Sequence, residues 1–155
     1  MTDLHELAVE RHIAAPPDRV WETMTTRMPE WWCPKPWRAE LIEQDWRAGG
    51  RSAMIFHGPD GEAMPQEGVF LEVAPGRRFV FTDAYRAGWV PQNPFITGIF
   101  EIEPDGDGTR YRASARHWDE EARQRHEAMG FTDGWGAAAA QLAELCEGGG
   151  EGEPA

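Results

Sequence analysis

The stretch MPEWWCPKPW, Met28 to Trp37, places one thiol, Cys33, among three tryptophans and three prolines. A cysteine can act as a nucleophile or a metal ligand. The nucleophile needs a neighbouring base and a lowered pKa, and no histidine lies near Cys33 in sequence. Cys33 therefore reads as a buried, inert thiol. His57, His117 and His126 are spread over two strands and a helix, and none stands at HxH or HExxH spacing. That is no zinc pattern, so no metal is expected. Asp83, Tyr85 and His117 supply the side-chain types of an acid–base set, which works only if the fold brings them together. Arg11 shares a strand face with Val9 and Ile13. An arginine on an inward face needs a partner, either an internal carboxylate such as Asp83 or Glu72, or the acidic group of a ligand. No G-x-S-x-G, phosphate loop or dinucleotide fingerprint occurs, so no catalytic residue and no cofactor is assigned.

The elements that must position these side chains follow from periodicity. Leu7, Val9, Arg11 and Ile13 alternate with polar neighbours, a strand signal. AAPPDRVWETM places prolines where a helix can start. PEWW allows a turn or two of helix before Pro34 stops it. Strands follow over 37–46, 51–57, 66–73 and 78–85, with GPDGEA and APGR as turns. On the third strand Ser52, Met54 and Phe56 share a face. Asp83 and Tyr85 continue the face of Phe79 and Phe81. Residues 86–95 read as a long loop whose Trp89 and Phe95 are placed to close over a cavity.

The next hairpin fixes its own register. Pairing Ile102 with Tyr111 sets Phe100 opposite Ala113, Glu101 opposite Arg112 and Glu103 opposite Arg110. Opposite charges across a strand pair favour that alignment, and a slip of one residue would reverse both faces. His117 continues the covered face, where the plainer reading is a hydrogen-bonded histidine at the edge of the core. Asp119 is placed to cap a polar helix ending at Gly130, and Thr132 to cap the last one. Phe131, Trp135, Ala138, Leu142 and Leu145 form one apolar stripe on that last helix. Gly134 and Gly136 flank Trp135, and such helix glycines point to close approach by a sheet or a ligand. The tail from residue 147 to 155 is rich in Gly and Glu and is expected to be disordered.

The chain has 155 residues and a formal net charge of −12, with 41% hydrophobic residues. That is the size and composition of one soluble domain. The charge weighs against a nucleic-acid partner, which calls for a basic footprint. No apolar run is long enough to insert in a membrane. The opening MTDLHELAVE lacks the pattern of a signal peptide. The two cysteines, Cys33 and Cys146, form no disulfide framework. A reduced, cytoplasmic protein is expected. Strands and helices are segregated along the chain, the mark of an α+β fold.

Several segments resemble a known family. RHIAAPPDRVWETMT is similar to the opening pattern of proteins like the C-terminal domain of the activator of heat-shock-protein-90 ATPase. PEWWCP resembles the family's Trp-Trp-Gly-Pro segment, with Cys33 in place of the glycine. DWRAGGRSAMIFHGPDG, GVFLEVAPGRRFVFTD and HEAMGFTDGWGAAAAQLAEL resemble its later hairpins and final helix. The match runs in order over roughly residues 7 to 146. The resemblance implies the START-like, helix-grip fold: a curved antiparallel sheet wrapped around a long C-terminal helix, with two short helices between the first and second strands. It implies a single domain over 1–146 and an inner hydrophobic cavity. In the superfamily such cavities bind lipids, steroids or polyketides, and some members are cyclases or hydrolases.

The expected function is binding of a small apolar or aromatic molecule between sheet and helix. The expected wall comprises Trp32, Phe56, Phe79, Phe81, Tyr85, Trp89, Phe95, Phe100, His117 and Trp135, with Arg11, Asp83 and His117 as polar anchors. Trp31 and Trp32 are expected to diverge, one into the core and one toward the cavity rim. Two other readings stay open: a cyclase- or hydrolase-type enzyme on the same cavity, and a chaperone-associated interaction protein.

Overall fold

The computed structural model describes residues 4 to 149. The chain runs β1 (His5–Ile13), α1 (Pro17–Thr26), a 3-10 turn (Met28–Glu30), β2 (Arg38–Gln44), β3 (Arg51–His57), β4 (Ala63–Ala74), β5 (Arg78–Thr82), β6 (Tyr85–Arg86), β7 (Val90–Pro91), β8 (Thr97–Asp105), β9 (Gly108–His117), α2 (Glu120–Ala128) and α3 (Phe131–Glu144). A π-helical turn, Leu145–Gly149, extends α3. This path continues into the stretch read as a tail, where Glu147 accepts from the Ala14 amide at 2.9 Å. The remainder of that tail, residues 150–155, lies outside the described residues.

Seven strands form one antiparallel sheet in the order β1-β9-β8-β5-β4-β3-β2. Register shifts between Leu41 and Glu43 and between Phe70 and Glu72 mark bulges on β2 and β4. Bulges bend a strand and increase its twist, so the sheet curves. On the hairpin of β8 and β9, Ile102 pairs with Tyr111, Phe100 with Ala113 and Glu101 with Arg112, as the charge pattern requires. The outer face of this hairpin carries an ion-pair network. Arg112 reaches Glu6 and Glu10, each at 3.3 Å. Burial works to raise the Glu6 pKa, yet hydrogen bonds from Arg116 and Arg112 hold it below the usual carboxylate value.

The inner face is covered. Phe100, Ala113 and Ala115 are buried, and α3 lies over them with Ala138, Ala139 and Leu142 buried on its own stripe. The closest approach of α3 to the sheet is at β1, beside β9. α1 starts at Pro17, where the missing N–H costs nothing, and buries Val20, Thr23 and Met24. Asp119 caps α2 by accepting from the Ala122 amide at 2.8 Å. α3 is not capped by Thr132. It begins one residue earlier, after Gly130, whose φ of +98° makes the sharp junction with α2. A residue with a Cβ would be strained there.

Residues 86–95 are more ordered than a loop. β6 and β7 pair as a small two-stranded hairpin beside the main sheet. β5 ends at Thr82, so the period-two extrapolation from Phe81 to Tyr85 fails at the turn between them.

Candidate functional site

The curved sheet and α3 enclose a cavity of about 520 Å³. Its floor is aromatic because β5 and β8 both present alternate residues inward. Phe79 stacks on Phe100 with centroids 4.9 Å apart and planes 18° apart, and Phe81 lies 6.1 Å from Phe100. Trp135 of α3 stacks on the same Phe100 at 5.4 Å. Trp32 approaches Phe100 from the side at 4.9 Å. Each buried aromatic ring stabilises the fold by about 1.5–3 kcal/mol, so the wall is also core. Met64 and Met129 line the cavity and remain exposed, which places the mouth between the start of β4 and the end of α2.

The two adjacent tryptophans divide as expected. Trp31 is fully buried, and its indole N–H donates to the Met24 carbonyl at 3.3 Å. Trp32 is half-buried and forms cavity wall. Cys33 also lines the cavity, and burial pushes its thiol up to about 11. A thiol so rarely ionised is a poor nucleophile near neutral pH.

The polar groups of the cavity are few. His117 Nδ1 lies 2.9 Å from the His5 carbonyl. A carbonyl only accepts, so Nδ1 carries the proton and the neutral ring presents a lone pair at Nε2. That Nε2 lies 2.8 Å from His126 Nδ1, which must then be the donor. His126 Nε2 is left as a lone pair, with no protein partner among the described residues. Burial, with a smaller contribution from His117, lowers His126 to about 4, so it is neutral near pH 7. At another part of the cavity, Tyr111 is almost fully buried and its hydroxyl has no protein partner among the described residues. Burial raises it above the ordinary phenol range. Asp83 Oδ1 accepts from the amides of Phe95 at 2.7 Å and Ile96 at 3.2 Å. Burial outweighs these bonds and leaves Asp83 raised. Ser52 donates to Gln44 Oε1 at 3.1 Å, while Gln44 Nε2 is buried and unpartnered.

Of the residues expected at the wall, Trp32, Phe56, Phe79, Phe81, Phe95, Phe100 and Trp135 line the cavity, as does the expected anchor Asp83. Four placements are corrected. Tyr85 and Trp89 are exposed on the β6–β7 hairpin and pack on each other, with centroids 6.0 Å apart. Trp89 leans over Gly49, away from the cavity. Arg11 is exposed: β1 is an edge strand, and a long arginine stem there lets the charge reach water. Glu72 instead pairs with Arg78 at 3.0 Å. His117 is buried behind His126 and does not touch the cavity. His126 and Tyr111 are the polar groups that sequence reasoning missed. The signal for His126 was present: Ala122 and His126, four apart, are the buried positions of an otherwise polar α2.

Gly134 borders the cavity, where an added Cβ would meet Pro34 at an ordinary 3.9 Å. Gly136 faces open space, so close approach does not explain it.

An antiparallel sheet gripping a C-terminal helix around an apolar cavity defines a START-like, helix-grip protein. The family described as Activator of Hsp90 ATPase homolog 1-like protein matches residues 14–147, and the chain belongs to that family. A crystal structure of a Nitrosomonas europaea protein is similar at 35% identity, covering 93% of this chain and 96% of that one, with a TM-score of 0.85. A Mycobacterium smegmatis protein of known structure shares the fold at 24% identity, covering 95% and 97% of the two chains, with a TM-score of 0.77. An Arthrobacter aurescens protein shares it at 22% identity, covering 91% and 85%, with a TM-score of 0.78. No curated protein matches the chain. Among the described residues, no helix is long and apolar enough to cross a membrane.

Proposed function

We propose that this protein binds a small apolar, aromatic molecule in the cavity between the sheet and α3, and that it does so in the cytoplasm. One observation carries the reading: the cavity of about 520 Å³ is walled by Trp32, Phe81, Phe100 and Trp135 and holds few polar groups. Ligand sites of this size are largely apolar, with a small number of placed polar groups that set orientation. His126 Nε2 and the Tyr111 hydroxyl are such groups. Two buried, free thiols, Cys33 and Cys146, are consistent with a reducing compartment.

The hydrogen-bonded pair of His126 and His117 gives the enzyme reading a specific basis. A neutral imidazole with a free lone pair at a cavity is placed as a general base. A base titrating near 4 is a weak proton acceptor at pH 7, however. The pair is better suited to hold a ligand's proton than to remove it. The family name carries an association with a chaperone, and the exposed Tyr85, Trp89 and Val90 of the small hairpin are where a protein partner would be sought.

Native mass spectrometry of protein isolated from its own host tests the binding reading. A bound small molecule, released on unfolding, is the expected result. A mass equal to the bare chain, together with an unchanged melting temperature across a panel of apolar aromatics, would overturn it.

A further inference from the structure

The charge and hydrogen-bond character of the cavity narrows the class of ligand. Among the described residues that line it, none is a lysine or an arginine. The carboxylates at its wall are Glu67 and Asp83. Glu67 is held by Arg51 at 3.0 Å. Asp83 is met by backbone amides on Oδ1 rather than by a cation. The protonation pattern of the histidine pair follows from a backbone carbonyl, so the group offered by His126 is an acceptor. Its ring is packed between Phe95, 4.8 Å away, and Phe131, 5.1 Å away. It cannot swing to offer another face without breaking that packing.

Tyr111, Gln44, Gln66 and the indoles of Trp32, Trp37 and Trp135 offer donors, all of them neutral. Tyr111 stands on β9 and Gln44 on β2, at opposite sides of the sheet order. Tyr111 is also six residues from His117 along β9, which is roughly 20 Å of strand. A bound carboxylate would therefore find neutral donors alone, no cation and two resident acidic groups. Burying an anion on those terms is strongly unfavourable.

We infer that the cavity takes an uncharged aromatic ligand that donates a hydrogen bond to His126 Nε2, and that it refuses carboxylates, fatty acids among them. This inference rests on the cavity-binding reading above.

Three matched compounds test it on the unaltered protein by isothermal titration calorimetry at pH 7.5: 2-naphthol, 2-methoxynaphthalene and 2-naphthoate. They share one ring system and differ in having a donor, no donor or a negative charge. The naphthol should bind at least about fivefold more tightly than its methyl ether, the worth of one net hydrogen bond. It should bind at least about tenfold more tightly than the naphthoate. In His126→Phe the preference for the naphthol over its ether should vanish. Naphthoate binding as well as naphthol would overturn the inference and leave cavity binding standing. Equal binding of naphthol and its ether would remove the role of His126. If none of the three binds, the cavity reading fails and this inference fails with it.

Discussion

At the scale of single residues, His126 concentrates the most consequences. It sits on a polar helix, yet it is buried, bonded to His117 and ringed by Phe95, Phe131 and Trp135. Burial keeps it neutral in the folded protein down to about pH 4, whereas an unperturbed histidine takes up its proton near 6.5. Between those values the unfolded chain binds more protons than the folded one. Stability therefore falls as the pH drops from 6.5 toward 4, and His126 contributes no slope above that window. The full effect approaches roughly 3 kcal/mol. Urea unfolding at pH 7 and pH 5 should show about 2 kcal/mol of this loss in the native sequence, and it should be much smaller in His126→Gln, which keeps a hydrogen-bonding group beside His117. An equal loss in both would contradict the assignment. Cys33 is the opposite case. It opened the question of reactive chemistry, and burial leaves it a protonated wall residue.

At the scale of elements, α3 is both the roof of the cavity and the carrier of two interior glycines. A Cβ added at Gly136 would meet nothing within 4 Å, and the residue lies inside the helix. Gly136→Ala should therefore stabilise the protein by about 0.5–1 kcal/mol through helix propensity alone. A rise in thermal midpoint checks this, and a fall would reveal a role for the glycine that the helix geometry does not display. The elements also mark how far the sequence could be read. The β8–β9 register was legible to the residue because Glu101 and Glu103 face Arg112 and Arg110 while Phe100 faces Ala113. Both the charge pattern and the apolar pattern point to one alignment. Tyr85 was not legible, because alternation says nothing about where a strand stops, and β5 stops at Thr82. Arg11 was misplaced for a related reason. Alternation assigns a face, but the pairing order that makes β1 an edge strand is a property of the whole sheet. Tyr111 was correctly placed on the covered face, yet its unpartnered hydroxyl depends on what α1 and the Trp31 segment leave open. That is tertiary information.

At the scale of the molecule, sheet curvature leaves space between the sheet and α3. Bulges on β2 and β4 bend the sheet. α3 approaches the sheet most closely at β1, while Phe79, Phe81 and Phe100 border the cavity. The space is continuous with solvent past Met64 and Met129, so a ligand has a route in without unfolding. The eight tryptophans report on this directly. Trp31, Trp32, Trp37 and Trp135 line the cavity, whereas Trp89 and Trp118 are exposed elsewhere. Their indole N–H signals in a nitrogen–proton correlation spectrum, followed during a titration with 2-naphthol, give the most direct test of the central claim. Trp32 and Trp135 should shift and saturate together while Trp89 and Trp118 stay in place. Shifts confined to Trp89 and Trp118, or none at all, would contradict it.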